Sequence, residues 1–261
     1  MPTCSRRKQT HVTGSLDRDE HLHGYALQLT AGELPPGWDI VNTSSACLVA
    51  CNPSLQVYYK EFPLPSPLSR LTARLRGSRA SRWRKHSDAL NYAGIEAPES
   101  LAWGKLPNGR EYLFTRAAAG RDVATWLRKA LRERSGEALA SRRQLLEALG
   151  IFIGRLHATG FLPGDLEASD VLAEQLEDRF QFTLINNEHS VKKLPPPGRM
   201  LLKNLMELNL LPPSALTRTD RMRFFVAWRR QMRDFSSVET KVLAAEAYRW
   251  AMRLMHERGQ L

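Results

Sequence analysis

Apolar and polar positions alternate from residue 38 to 62, and the period lengthens beyond. Trp38-Asp-Ile-Val41 and Ala46-Cys-Leu-Val-Ala50 read as two short strands around the polar turn Asn42-Thr-Ser-Ser45. After the turn Asn52-Pro53-Ser54, residues 55–62 read as a third strand, rich in aromatic and branched side chains. Upstream, residues 1–22 are polar and aperiodic and predict a flexible arm, and Tyr25-Ala-Leu-Gln-Leu29 predicts a strand. Residues 68–93 read as a helix ended by Ala93-Gly94. Residues 97–103 and 111–115 form a further strand pair around Pro107-Asn108-Gly109.

There the β pattern stops. Arg116-Ala-Ala-Ala-Gly120 is a small-residue connector, and Asp122 is placed to cap a helix over 123–131. Residues 141–159 form an amphipathic helix with Leu145, Leu149, Phe152 and Leu156 on its apolar stripe, stopped by Gly160. Three more helices follow over 200–210, 219–235 and 237–258, with Thr217, or Thr219 with Asp220, capping the second. The pattern predicts an α+β chain with an arm over 1–22, a β-rich lobe over 23–115 and a helical lobe over 116–261.

Two short stretches carry candidate chemistry. In residues 156–187, Asp165 lies on a tight loop and Asp170 five positions later, and the strand Phe182-Thr-Leu-Ile185 delivers Asn186 and Asn187 to its end. Two loops that present carboxylates and amides suit a hydroxyl nucleophile and a divalent metal. In the first lobe, Thr43, Ser44 and Ser45 form a polar hairpin tip, and Lys60 lies on a nearby strand. Tip amides and hydroxyls could cover a nucleotide triphosphate, with the lysine neutralising it.

Composition narrows the setting. With 43% hydrophobic residues the chain is of globular type, and no apolar run approaches the 18 residues of a membrane span. The N-terminus carries charge without an apolar segment behind it, so no secretory signal is expected. Three cysteines argue for a reducing, cytoplasmic compartment, with Cys47 and Cys51 as buried strand residues. A net charge of +11 favours polyanionic partners, and Arg70, Arg74, Arg76, Arg79, Arg82, Arg84 and Lys85 concentrate it, as a solvated face or a docking surface for phosphates. No helix-turn-helix, zinc or aromatic-stacking signature is present, so nucleic acid is not expected.

Taken in order, several segments resemble the Kdo/WaaP-type lipopolysaccharide kinases. They are Val57-Tyr-Tyr-Lys-Glu-Phe62, Ala93-Gly-Ile-Glu-Ala-Pro98, Leu156-His-Ala-Thr-Gly160 and Gly164-Asp-Leu166 with Val171-Leu172. Leu184-Ile-Asn-Asn-Glu188, Leu202-Lys-Asn-Leu205 and residues 217–225 complete the set. The resemblance implies a bilobal, protein-kinase-like fold with ATP between the lobes and Mg²⁺ as its metal. Lys60 looks like the strand lysine that holds the α- and β-phosphates, and Asp165 like the aspartate that accepts the proton of the attacking hydroxyl. The implied reaction is ATP-dependent phosphorylation of a heptose or Kdo hydroxyl of the lipopolysaccharide inner core. Its partners would be that anionic core, or another phosphorylated glycolipid, and an anionic membrane surface met peripherally.

The chain also departs from the family pattern. Pro163 stands where the family has histidine. Asp170 replaces the family's metal-binding asparagine, and Asn186 replaces its aspartate, a reciprocal exchange that preserves total charge. Glu188 is placed to add a carboxylate. Residues 81–86 hold no glutamate to pair with Lys60, and Asp88 is the nearest acid. The alternative is a pseudokinase that binds nucleotide or lipopolysaccharide, or regulates a partner kinase, without efficient transfer.

Overall fold

A computed structural model describes residues 9–43, 47–64, 77–177 and 179–260. The chain divides into two compact units, residues 1–85 with 98–117, and residues 86–97 with 118–261.

The first unit opens with helix α1 (Gln9–Thr30). A strand expected over 25–29 is helical instead, and so is the expected arm from Gln9 onward. A five-residue window with apolar residues at 25, 27 and 29 does not separate a period of 2 from one of 3.6. Burial does separate them: Leu22, Ala26 and Leu29 are buried at helical spacing, while Leu27 is exposed. Their face packs with Trp38, Tyr59 and Phe114.

Strands β1 (Asp39–Thr43), β2 (Leu48–Asn52), β3 (Val57–Phe62), β4 (Ser100–Lys105) and β5 (Glu111–Arg116) form one antiparallel sheet in the order β1-β2-β3-β5-β4. β3 begins two residues later than its pattern suggests, because Gln56 takes a left-handed turn conformation (φ 53°). Buried Glu61 accepts from Tyr59 Oη at 2.8 Å, Thr30 Oγ1 at 3.2 Å and Arg110 Nη1 at 2.7 Å, which satisfies its charge and ties α1 to the sheet.

Helix α2 (Arg79–Tyr92) begins in this unit, where Ala80 and Trp83 pack on Phe62 and Leu113. Arg79 lies over the Phe62 ring at 5.1 Å and Arg84 over Trp103 at 4.3 Å. Of the basic run, Arg70, Arg74 and Arg76 lie outside the described residues. Arg79, Arg82 and Arg84 are half-buried, and Lys85 is exposed.

The second unit is mainly helical. Asp122, at the end of the two-residue strand β6 (Arg121–Asp122), caps the short α3 (Val123–Thr125), accepting from Thr125 N–H at 2.8 Å, but the expected longer helix continues only as a π turn, Trp126–Ala130. Helix α4 (Gly136–Ala158) carries the predicted stripe, with Leu145, Leu149 and Leu156 buried. It packs on α6 (Arg218–Gln231), and α5 (Gly198–Leu208) packs on α7 (Ser237–Glu257). Thr217 and Asp220 form a capping box at α6. Buried Arg142 donates to Asp220 Oδ2 at 2.8 Å and to the carbonyls of Leu127, Leu131 and Ala215, so this charge is paired and satisfied. Among the described residues, no helix is long and apolar enough to cross a membrane.

Candidate active site

Two antiparallel strand pairs of the second unit build the site. β7 (Phe161–Leu162) pairs with β10 (Val191–Lys192), Leu162 opposite Val191. This register sets the loop after β7, which carries Asp165, against the 3₁₀ turn Asn187–His189. Gly164 permits the approach, because a Cβ there would meet His189 Cβ at 2.7 Å and its carbonyl oxygen at 2.9 Å.

β8 (Val171–Leu176) and β9 (Arg179–Leu184) form the second pair, Val171 opposite Leu184. Ile185 N–H donates to Asp170 O at 2.9 Å and extends the ladder by one residue. Asp170 and Asn186 therefore leave the same end of one hairpin.

Asp165 is exposed and tethered. Its Oδ1 lies 2.8 Å from Lys203 Nζ, and its Oδ2 lies 3.7 Å from His189 Nδ1. The hydrogen bond from Lys203, opposed by partial burial and reinforced by the charges of Lys203 and His189, holds the Asp165 carboxyl below the usual carboxylate range. It is ionised at neutral pH.

Helix α5 grips this loop at four consecutive residues. Asn204 Nδ2 donates to Pro163 O at 2.8 Å, and Lys203 Nζ donates to Gly164 O and Asp165 Oδ1. Leu166 N–H donates to Glu207 Oε2 at 2.9 Å. Each bond is worth about 1 kcal/mol net, while ordering one backbone residue costs about 1–2 kcal/mol. The bonds alone do not hold the loop; burial of Pro163 and Leu166 on either side of Asp165 supplies the rest.

Behind the loop, Trp228 Nε1–H donates to Nδ1 of fully buried His157 at 3.0 Å. Burial pulls the His157 imidazole down to about 3, opposed only weakly by neighbouring Asn204. The ring is neutral and carries its proton on Nε2.

The proposed metal residues are brought together in part. Asn186, in the left-handed conformation (φ 62°), donates its Nδ2 to Asp170 Oδ1 at 2.6 Å, and Asp170 Oδ2 accepts from Glu167 N–H at 3.0 Å. Glu188 is buried at 6% exposure in the 3₁₀ turn. Among the described residues, no group of three or more His, Cys, Asp or Glu could hold a metal ion. The Asp170 carboxylate and the Asn186 amide each carry a hard oxygen donor, and both could face one cation only if the Asn186 amide gave up its Nδ2 bond to Asp170.

In the first unit, Lys60 is half-buried on β3, its Nζ 5.4 Å from the Phe62 ring centroid. Thr43 is exposed at the end of β1, opposite Leu48. Ser44 and Ser45 lie outside the described residues.

The sequence profile of the Lipopolysaccharide kinase (Kdo/WaaP) family matches residues 67–228, more than half of the chain. The chain belongs to this family. Its fold is similar to that of WaaP in complex with acyl carrier protein, at 20% identity and a TM-score of 0.57, over 83% of this chain and 88% of that one. It is also similar to WbdD, at 18% identity and a TM-score of 0.48, over 81% of this chain and 45% of that one. The Mycobacterium tuberculosis PknI kinase domain matches at 12% identity and a TM-score of 0.39, over 84% of this chain and 98% of that one. No curated protein sequence matches the chain. The expected α+β, protein-kinase-like class is thus borne out, as is the family resemblance. Membership supports phosphotransfer of the lipopolysaccharide-kinase kind, with ATP and a divalent metal as general requirements.

Sequence reasoning passed over Lys203, Asn204, Glu207 and His189 as parts of the site. Lys203 and Asn204 lie in a segment that carried the family resemblance, and the spacing of 203 and 207 puts two charges on one helix face. Their contacts with Asp165 and Leu166 span 38 and 41 residues, which no local pattern encodes.

Proposed function

We propose that the chain transfers the γ-phosphoryl group of ATP to a heptose or Kdo hydroxyl of the lipopolysaccharide inner core. The observation that carries this reading is the exposed Asp165 carboxylate, ionised and tethered by Lys203 on a loop gripped by α5. Asp165 accepts the proton of the attacking hydroxyl. The new oxygen–phosphorus bond forms as the bond from the γ-phosphorus to the β–γ bridging oxygen breaks. ADP leaves, and the proton passes from Asp165 to solvent.

Lys60 is the residue we assign to the nucleotide phosphates, with Thr43, Ser44 and Ser45 as their cover. Asp170 and Asn186, with Glu188 on the same turn as Asn187, would hold Mg²⁺, which when bound neutralises phosphate charge. The net charge of +11 suits an anionic acceptor, the core or another phosphorylated glycolipid, met peripherally at the inner face of an anionic membrane.

The reciprocal Asp170/Asn186 exchange, with the two side chains bonded to each other, favours a second reading, a pseudokinase that binds without efficient transfer. Labelled phosphate transfer from Mg²⁺-ATP to lipopolysaccharide with an unphosphorylated heptose–Kdo core separates the two. For an active kinase, Asp165→Asn lowers transfer by about 10²- to 10⁴-fold while the Mg²⁺-ATP thermal shift persists. Equal transfer by wild type and variant sinks the kinase reading. A thermal shift with no transfer by wild type selects the pseudokinase.

A further inference from the structure

Lys203 forms more than an isolated surface ion pair. With side-chain exposures of 42% for Lys203 and 67% for Asp165, the pair alone would contribute about 0–1 kcal/mol. Other exposed pairs of the second unit, Arg230 with Glu147 and Arg249 with Glu246, join side chains only. Lys203 instead bonds the backbone carbonyl of Gly164 and the carboxylate of the next residue. Its ammonium is held in turn by Glu207 Oε1 at 3.2 Å, whose other oxygen receives the Leu166 N–H. One ammonium and one carboxylate, four apart on α5, thus fix the residues on both sides of Asp165 and Asp165 itself.

We propose that Lys203 is the positioning residue for Asp165, fixing which carboxylate oxygen takes the proton and keeping that oxygen ready to take it. This rests on the kinase reading above. Lys203 occupies Oδ1, while His189 Nδ1 stands 3.7 Å from Oδ2, beyond hydrogen-bond reach. Oδ2 is therefore the oxygen that receives the hydroxyl proton as the oxygen–phosphorus bond forms and ADP departs. The ammonium stays protonated throughout, because its bond to Asp165, reinforced by Glu207, raises its pKa against partial burial. It neither gives nor takes a proton in the step.

Three variants and two readouts test this. Lys203→Met lowers kcat by about tenfold, less than the hundredfold or more typical of a water-excluded donor, because Lys203 is part exposed. KM for ATP stays within about twofold, since ground-state binding is untouched. The acid limb of the kcat/KM profile moves to higher pH as Asp165 loses its partner. Lys203→Arg restores most of kcat, whereas Lys203→Gln behaves like the methionine variant. Independently of turnover, the Asp165 carboxyl carbon, assigned by NMR against Asp165→Asn, titrates at higher pH in Lys203→Met and Lys203→Gln than in wild type. An unmoved titration in folded variants overturns the proposal even if kcat falls. If the titration moves but wild type transfers no phosphate, the placement of Asp165 stands and the kinase reading fails.

Discussion

His157 shows how one buried residue makes the loop behind Asp165 sensitive to acid. Its imidazole accepts from Trp228 and stays neutral when folded, down to about pH 3, whereas an unfolded histidine protonates at about pH 6.5. Between those values the unfolded chain binds the extra proton. Stability is therefore full above about pH 6.5 and is lost as pH falls toward 3, by about 2 kcal/mol at pH 5. His157→Gln cannot take up this proton, so its Tm should fall about 5 °C less than that of wild type between pH 7 and pH 5. Superimposable Tm profiles would show that another group controls the acid transition. At this scale the sequence was readable where chemistry is local. Asp165 on a short loop between an apolar helix and a strand was identifiable, while Lys203 was not, because only the packing of α5 brings it there.

At the scale of elements, helix α4 lies against α6 through Gly150 and Gly154. A Cβ at Gly150 would meet Phe224 O at 2.4 Å, and one at Gly154 would meet Gln231 Cγ at 2.6 Å. The first contact is with backbone and cannot rotate away. Gly150→Ala should cost about 1–3 kcal/mol by forcing the helices apart, against the ordinary helix preference for alanine. Gly24→Ala in α1 meets nothing within 4 Å and should be neutral or stabilising by up to about 1 kcal/mol. The denaturant midpoint should fall for Gly150→Ala and hold or rise for Gly24→Ala; an unchanged midpoint for Gly150→Ala would place the close approach elsewhere. Helix α1 illustrates the converse limit of pattern reading. Its residues 25–29 are too short a window to separate a strand period from a helical one, and burial of Ala26 and Leu29 against Trp38 and Phe114 decides for helix.

At the scale of the whole molecule the dominant quantity is the charge of +11. The described arginines of the basic run, Arg79, Arg82 and Arg84, lie on aromatic rings or bond nearby backbone, and a net charge of this size attracts anionic surfaces through its long-range field. Binding to anionic lipid vesicles should therefore weaken steeply with salt, as the Debye length falls from about 10 Å at 0.1 M to about 3 Å at 1 M. Arg84→Ala should change that binding little while lowering Tm, because it removes a contact with Trp103. Vesicle co-sedimentation across a salt series checks this, and salt-independent binding would point to an apolar contact instead.

The strand pattern of residues 38–62, the helical stripe of α4, the caps at Asp122 and Thr217, and the loop position of Asp165 were all determined by sequence alone. Each depends on neighbours within one or two turns of chain. Tertiary structure decided the helical state of residues 25–29, the glycine seam between α4 and α6, the pairing of Asp170 with Asn186, and the attachment of Asp165 to Lys203. These depend on surfaces that meet only after the chain has collapsed. Burial and hydrogen-bond satisfaction are properties of those surfaces, and no window of sequence contains both partners.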